Sequence, residues 1–451
     1  MRLLLCCESF PPHRGGVQEV MREIAERMAM RGHDVTVATS RHPRRKSKAV
    51  NGVKIREFKA GGKMVYRLNG QIDEYREFVR TFDAEAILIM AAQQWSFDAL
   101  WPVLDDIKAR KIFIPCGFSG LYEPNFAQYF KELPDVLRKF DHLIFNAEKY
   151  RDIDFVRNMG LTNFTVLPNG ISEAEFDQQP DTQWRQKLSI SDDAFLFLTV
   201  GNPVEAKGHR QVVEAFSRLD IGGQSAVLLS IADWHGSGSP KRLTRLMEIA
   251  RLEGFQGLVQ LVRRKLATLW ELRLGNLSAI AAPPLKSIES IAAKVSAQPS
   301  KRVILTDLKR QELVQAYFAA DLFVFASRVE YSPLVLFEAA AAGTPFLTVP
   351  VGNADEIVRW TDGGILCEAA KDEHGYTRVD PATLAVAMAR CVKDRDGLSR
   401  LGATARQRWH DHFTWKVVAG YYEDILAGRT PNVRTMENET MPGQQTVSNV
   451  A

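Results

Sequence analysis

Asp321-Leu-Phe-Val-Phe-Ala-Ser-Arg-Val-Glu330-Tyr-Ser-Pro-Leu-Val-Leu-Phe-Glu338-Ala-Ala-Ala-Ala-Gly343-Thr-Pro345 is the stretch from which the fold of this chain is read. Residues 322–326 are a short apolar run of the kind found in strands buried on both faces. Ser332 is expected as an N-cap with Pro333 at the first helical position. Residues 334–342 are mostly strong helix formers, Gly343 suits a left-handed stop, and Thr344-Pro345 prevents continuation. The unit is therefore strand, loop, helix, with Glu330 in the loop and Glu338 in the second helical turn. Backbone N–H groups at such a helix start, those of Leu334 and Val335 among them, have no intrahelical acceptor and suit an anion such as a diphosphate. In an open parallel sheet this is also where ligands sit, beyond the carboxyl ends of the strands.

Glu330 and Glu338, with seven residues between them and Ala-x-x-x-Gly-Thr-Pro after them, resemble the donor-site signature of retaining glycosyltransferase family 4, whose fold is GT-B. The resemblance implies that Glu330 lies near the donor sugar, that Glu338 hydrogen-bonds the ribose, and that amides around Ser332, Leu334 and Val335 meet the diphosphate. The start of the chain is similar to the same family. Pro11-Pro12 leads to Gly15-Gly16-Val17, then a helix, then Arg31-Gly-His-Asp-Val-Thr-Val37. There the Gly15-Gly16 loop would face the donor phosphates and the acceptor, and glycine lets backbone approach a ligand closely. His13 and Arg14 add positive charge to it. Pro168-Asn-Gly-Ile171 resembles the turn by which the family leaves its first domain, and Gly352-Asn-Ala-Asp-Glu356-Ile-Val its Gly-Gly-x-x-Glu-Ile-Val.

Two departures from the family stand out. Gly201-Asn-Pro-Val-Glu-Ala-Lys207-Gly208 matches the Lys-Gly of a motif in which an arginine and the lysine both clamp the diphosphate, but Asn202 occupies the arginine position. Asparagine cannot supply a charged, bidentate phosphate contact. Arg210, Arg14 and Arg328 are the cations that would substitute. Cys116-Gly117 stands where relatives carry His-Gly, so no histidine role transfers to this point. Asp152-x-Asp154 falls in a helical pattern and is read as solvated surface, and no other cluster has metal-ligand spacing.

The chain has 451 residues, 45% hydrophobic and 25% charged, enough for two cores. Net charge +4 does not point to nucleic acid. Five cysteines without a CxxC pair argue against a disulfide framework. The first residues lack signal-peptide character, and no run reaches the ~20 apolar residues of a membrane span. A cytoplasmic setting is expected.

The expected fold class is α/β, two Rossmann-like doubly wound domains facing a cleft. Residues 1–175 form the acceptor-side domain, with strands at 1–7, 34–39, 86–90, 111–115, 142–147 and 164–167. Polar residues 176–193 are the linker, and 194–408 the donor domain, opening with a strand at 195–200. A last helix within 409–428 returns to the first domain, and 429–451 reads as a disordered tail. Residues 241–301 are longer than the family requires and hold eleven Lys or Arg against four Glu, with apolar positions at helical spacing. Two readings stay open for this insertion: a basic amphipathic surface for an anionic membrane on the inner face of the plasma membrane, or a helical excursion packed on the donor domain.

The resemblance implies a retaining, metal-independent hexosyl transfer from a nucleotide-diphosphate sugar to a glycan or lipid-linked acceptor, without a cofactor. Cell-surface polysaccharide assembly, such as lipopolysaccharide, is the expected setting. Lys207 and Glu330 would be the catalytic residues. Gly15, Gly16, Asn202, Lys207, Arg210, Glu330, Ser332, Leu334, Val335 and Glu338 would line the donor site. A nucleotide-sugar epimerase of the same fold and a non-catalytic nucleotide-binding scaffold are the alternatives.

Overall fold

The computed structural model describes residues 1–13, 15–234, 285–373 and 375–433. They form two compact units: Met1–Ser172 together with the segment from His410, and Glu173–Trp409.

The first unit is built on β1 (Arg2–Cys6), β2 (Asp34–Ser40), β3 (Ala49–Val50), β4 (Val53–Phe58), β7 (Ala86–Met90), β8 (Arg110–Ile114), β9 (His142–Phe145) and β10 (Phe164–Val166). A separate hairpin pairs β5 (Ala60–Lys63) with β6 (Arg67–Gly70). The eight-stranded order is β10-β9-β8-β7-β1-β2-β4-β3, parallel except for β3 against β4. Continuous apolar runs dictate this: every residue of β7 is buried, which suits a strand covered on both faces. Phe97 stacks on Phe113 at 4.1 Å, and Tyr75 meets Phe58 and Trp95 edge-on. The sheet grows from β1 toward β2, then reverses to β7, so the switch point lies between β1 and β7.

Trp415–Leu426, the last helix among the described residues, packs on this unit. Glu423 accepts from Arg31 at 2.7 Å and lies 2.8 Å from His33, while Arg110 Nε donates to the Ile425 carbonyl at 3.0 Å. A side chain at Gly170 would meet the Trp415 ring at 2.7 Å, so glycine in the Pro-Asn-Gly turn lets that helix close down.

The second unit has a six-stranded, all-parallel sheet ordered β13-β12-β11-β14-β15-β16. Its strands are β11 (Phe195–Val200), β12 (Ala226–Ile231), β13 (Lys301–Thr306), β14 (Leu322–Phe325), β15 (Phe346–Thr348) and β16 (Gly364–Leu366). Here the switch point lies between β11 and β14.

Several sequence expectations change. Residues 176–193 are not a bare linker: helices Glu173–Phe176 and Trp184–Lys187 bury Phe176 and Trp184 in the second unit, and Arg185 donates to the Ala319 carbonyl and to Asp321. The chain divides after Ser172, before that segment. Of the basic insertion, Leu285–Ser296 is a helix that buries Ile288, Ala292 and Val295, and Lys301 already belongs to β13; residues 241–284 lie outside the described residues. So do residues 434–451 of the expected tail and Arg14. The helix Ala127–Leu137 of the first unit contains Pro134. Among the described residues, no helix is long and apolar enough to cross a membrane.

Candidate functional site

The loops leaving β11 and β14 carry the charged residues expected of a ligand site, and sheet order makes them neighbours. Gly208 takes φ 73°, and a Cβ there would lie 1.9 Å from the Ala326 carbonyl oxygen. Only glycine lets the Lys207 loop settle on the end of β14. The contact is stitched by Arg328 N–H donating to the Ala206 carbonyl at 2.7 Å and by Ser327 Oγ, 2.9 Å from the same oxygen. As a result Lys207 Nζ donates to Glu330 Oε1 at 2.5 Å, and Ser327 Oγ lies 2.7 Å from that oxygen. The lysine side chain is 27% exposed and the glutamate 13%, so the pair is sheltered but reachable. A second glycine supports the same loop. Gly352, at φ 57°, would place a Cβ 2.4 Å from the Tyr331 carbonyl, which accepts from Asn353 N–H at 3.0 Å.

Downstream, Leu334–Ala342 is a helix ended by Gly343 in the left-handed conformation, φ 72°. Its start differs from expectation. Pro333 occupies the cap position in extended geometry, so Ser332 stands one residue outside and is not the N-cap. The fixed φ of proline satisfies the cap as readily as the first helical turn. Leu334 and Val335 open the helix, with N–H groups that have no intrahelical acceptor. Glu338 sits one turn in, 8% exposed, with both oxygens engaged. Arg310 Nη1 donates to Oε1 at 2.6 Å, and Tyr317 OH to Oε2 at 3.0 Å. Arg310 also forks onto Glu175 through Nε at 3.0 Å and Nη2 at 2.7 Å. Burial alone would lower the arginine's proton affinity, but Glu338 and Glu175 outweigh it and raise it. Burial and the Glu338 charge push the Tyr317 hydroxyl well above its ordinary range, so it remains a donor.

Other predicted residues are placed differently. Asn202 is exposed at the start of the Lys207 loop, and its carbonyl accepts from Val204 N–H at 2.8 Å. Arg210 is exposed one residue into the helix His209–Arg218 and donates to Glu214 at 2.7 Å, along the helix surface. Arg328 is buried and faces Glu205 at 3.7 Å. Gly15 and Gly16 are exposed in the first unit, at the start of the helix Gly16–Met30. Sequence reasoning missed Ser327, Arg310, Tyr317 and Glu175. A small polar residue directly after a buried strand was the one signal available, for Ser327. Arg310 and Tyr317 reach Glu338 only because their helix, Arg310–Ala319, lies beside the Leu334 helix, where the Thr344 hydroxyl donates to the Tyr317 carbonyl at 2.5 Å.

In the first unit Cys116 is a partly buried thiol in the left-handed region, φ 60°, pushed up to about 12 by burial and the Asp152 charge. Asp152 corrects an expectation: it is fully buried, not solvated, and accepts from Gly117 N–H at 2.8 Å and Ile153 N–H at 2.9 Å. It opens the helix Arg151–Asn158, where a carboxylate suits the exposed N–H groups. Among the described residues, no group of three His, Cys, Asp or Glu has metal-holding geometry.

Comparison with known proteins places these features. A model described as Glycosyltransferase Family 4 matches residues 14–175, and one described as Glycosyl transferases group 1 matches residues 251–394. Glycogen synthase of Mycobacterium tuberculosis is 35% identical over 112 residues, 25% of each chain. D-inositol 3-phosphate glycosyltransferase of Acidothermus cellulolyticus is 26% identical over 301 residues, 65% of this chain and 56% of that one. The chain thus spans between a quarter and just over half the length of these curated relatives. Among solved structures, Anabaena Alr3699/HepE in complex with UDP is similar over 95% of this chain and 100% of that one, with TM-score 0.63 and 16% identity, which shows a shared fold.

Proposed function

We propose, for a chain that belongs to the family 4-type glycosyltransferases of the GT-B fold, a retaining, metal-independent transfer of a sugar from a nucleotide-diphosphate sugar. The observation that carries this reading is the Lys207–Glu330 pair at 2.5 Å on the two loops that flank the switch point of the second unit. Breaking the sugar–phosphate bond leaves negative charge on the diphosphate while positive charge grows on the sugar ring. Lys207 and the N–H groups of Leu334 and Val335 oppose the first. Glu330 orients the sugar hydroxyls, and its charge favours the second. Glu338 receives the ribose. No covalent nucleophile is needed if the acceptor attacks from the face that the phosphate leaves.

HepE's complex with UDP supports a uridine nucleotide as the first donor base to try. With Asn202 in place of the arginine, Lys207 is left with more of the diphosphate charge. The acceptor is a glycan or lipid-linked glycan, held by the first unit, in cell-surface polysaccharide assembly, with peripheral membrane contact through the basic insertion. The excess of Lys and Arg over residues 241–301 supports this last point.

The test is slow donor hydrolysis by the intact protein, screened over UDP-, GDP- and ADP-sugars. One base should be preferred, and a chelator should leave the rate unchanged. Absence of hydrolysis and of diphosphate binding for all three would remove the reading, and strict dependence on added Mg²⁺ or Mn²⁺ would remove its metal-independent form. An isomerised sugar nucleotide formed without any acceptor would favour the epimerase instead.

A further inference from the structure

We propose that Arg310 and Tyr317 are positioning residues that hold the Glu338 carboxylate as a two-point acceptor for the vicinal hydroxyls of the donor's ribose. The proposal rests on the reading that Glu338 receives the ribose. The geometry assigns one donor to each oxygen, Arg310 Nη1 to Oε1 at 2.6 Å and Tyr317 OH to Oε2 at 3.0 Å. Each carboxylate oxygen accepts more than one hydrogen bond, so both keep capacity for a further proton. A ribose diol brings two hydroxyl donors side by side, which is the complement of a carboxylate fixed in this way.

Arg310 is itself held. Its Nε and Nη2 grip the two oxygens of Glu175 at 3.0 and 2.7 Å, and its guanidinium lies 5.8 Å from the centre of the Phe176 ring. A planar fork engaged on one edge cannot rotate without breaking two charge-assisted bonds. Glu175 therefore aims Arg310, and Arg310 aims Glu338. Tyr317 is fully buried, and its carbonyl accepts from Thr344 at 2.5 Å, which fixes the tyrosine to the turn that ends the Glu338 helix. Oriented partners of this kind make recognition specific, because the site's buried groups are left unpaired when the ligand hydroxyls are missing.

The experiment is calorimetry on the full chain with whichever of UDP, GDP or ADP it binds, beside the 2′,3′-dideoxy form of the same nucleotide. The intact protein should prefer the ribose form by at least about tenfold, the loss expected when a hydrogen-bonding site meets an analogue lacking the hydroxyls. Glu338→Gln should abolish most of that preference. Arg310→Gln and Tyr317→Phe should each reduce it about threefold or more, with affinity for the dideoxy form held within about twofold. Arg310→Lys, which keeps charge but not the fork, should recover only part. If Glu338→Gln keeps the preference, or no nucleotide binds, the ribose reading fails and the proposal with it. If Glu338→Gln loses the preference while Arg310→Gln and Tyr317→Phe keep it, the positioning role alone is overturned. Equal weakening toward both nucleotides in those two variants marks a staple of the fold and overturns it too.

Discussion

The two parallel sheets of this chain finish their strands by different physical means. In the second unit the awkward backbone is glycine, at Gly208 and Gly352, and the side chains that crowd the strand ends are charged and mutually paired. In the first unit the awkward backbone is borne mostly by ordinary residues, with Gly117 (φ 91°) beside them. Ala91 (φ 70°) and Gln93 (φ 61°) follow β7, and Cys116 (φ 60°) and Phe118 (φ 44°) follow β8. The groups gathered there are mostly neutral. Gln93 Oε1 accepts from Ser119 Oγ at 3.2 Å and Gly120 N–H at 3.1 Å, while Gln93 Nε2, Gln94 Oε1 and Ser96 Oγ have no partner among the described residues. One unit stores its cost in charges brought close, the other in left-handed residues, each worth about 1–3 kcal/mol. The first arrangement suits a polyanion that can take over a lysine.

The contrast breaks most visibly at Gly208. Gly208→Ala puts a Cβ 1.9 Å from the Ala326 oxygen in a conformation L-residues disfavour. The loss should be about 3 kcal/mol of stability or more, with the Lys207 loop lifted from β14. An unchanged urea midpoint together with unchanged diphosphate affinity would show that the loop does not depend on that close approach.

Acid should separate the units next. Burial lowers His209 in the second unit to about 4, with Lys207 acting in the same direction and the Gly201 and Asn202 carbonyls opposing. Its Nδ1 lies 3.0 Å from Ser230 Oγ, and its ring meets Trp234 edge-on. The unfolded chain binds a proton near pH 6.5 and the folded unit does not, so stability present above that value is lost as pH falls toward 4, by up to about 3 kcal/mol. Asp98 in the first unit has the opposite sign. Burial raises it to about 6, despite the Met64 N–H and Tyr129 hydroxyl that it accepts. The folded unit then binds the proton more tightly, and Asp98 stabilises as pH falls from about 6 to 4. Hydrogen exchange, corrected for intrinsic rates, should show β11 and β12 losing protection relative to β7 between pH 7 and 4.5. Parallel loss in all three strands would contradict the assignment.

These contrasts also show what the sequence made legible. Strands 86–90 and 195–200 are read to the residue, because continuous apolar runs leave little freedom. The meeting of Lys207 with Glu330, 123 positions apart, follows once both are placed after neighbouring strands. Glu175 ends the stretch expected as the first domain, Arg310, Tyr317 and Glu338 come from two later helices, and no spacing rule connects them. Ser332 falls one residue outside the cap because Ser-Pro fits either side of it. The burial of Asp152 is not legible locally because it depends on the Gly117 loop, which lies 35 residues away.

Smaller in energy, though decisive for the chemistry, are Lys207→Ala and Glu330→Ala. Each should lower turnover at least tenfold, about 1.4 kcal/mol of barrier. Each also leaves the other member of a sheltered pair uncompensated, so the double variant should lose less than the two single losses combined. Strict additivity would show that the pair does not act as a unit, and unchanged turnover in both singles would reject the site assignment.

Ala91→Gly carries the smallest expected effect and tests the strain in the first unit directly. Ala91 is buried and left-handed, held by its N–H donating to the Ile114 carbonyl at 2.8 Å. Glycine there removes a left-handed cost of about 1–2 kcal/mol. It also adds about 0.5–1 kcal/mol of unfolded-chain entropy and gives up about 0.8 kcal/mol of methyl burial. These nearly cancel, so the melting temperature should move by only a few degrees in either direction. Ala38→Gly is the control: Ala38 is equally buried but sits within β2, where no strain is relieved and the entropic and burial losses stand alone. The difference between the two variants, about 1–2 kcal/mol, measures what the left-handed turn stores. If Ala91→Gly costs as much as Ala38→Gly, the turn after β7 is relaxed, and the distinction drawn between the two sheets loses its first-unit half.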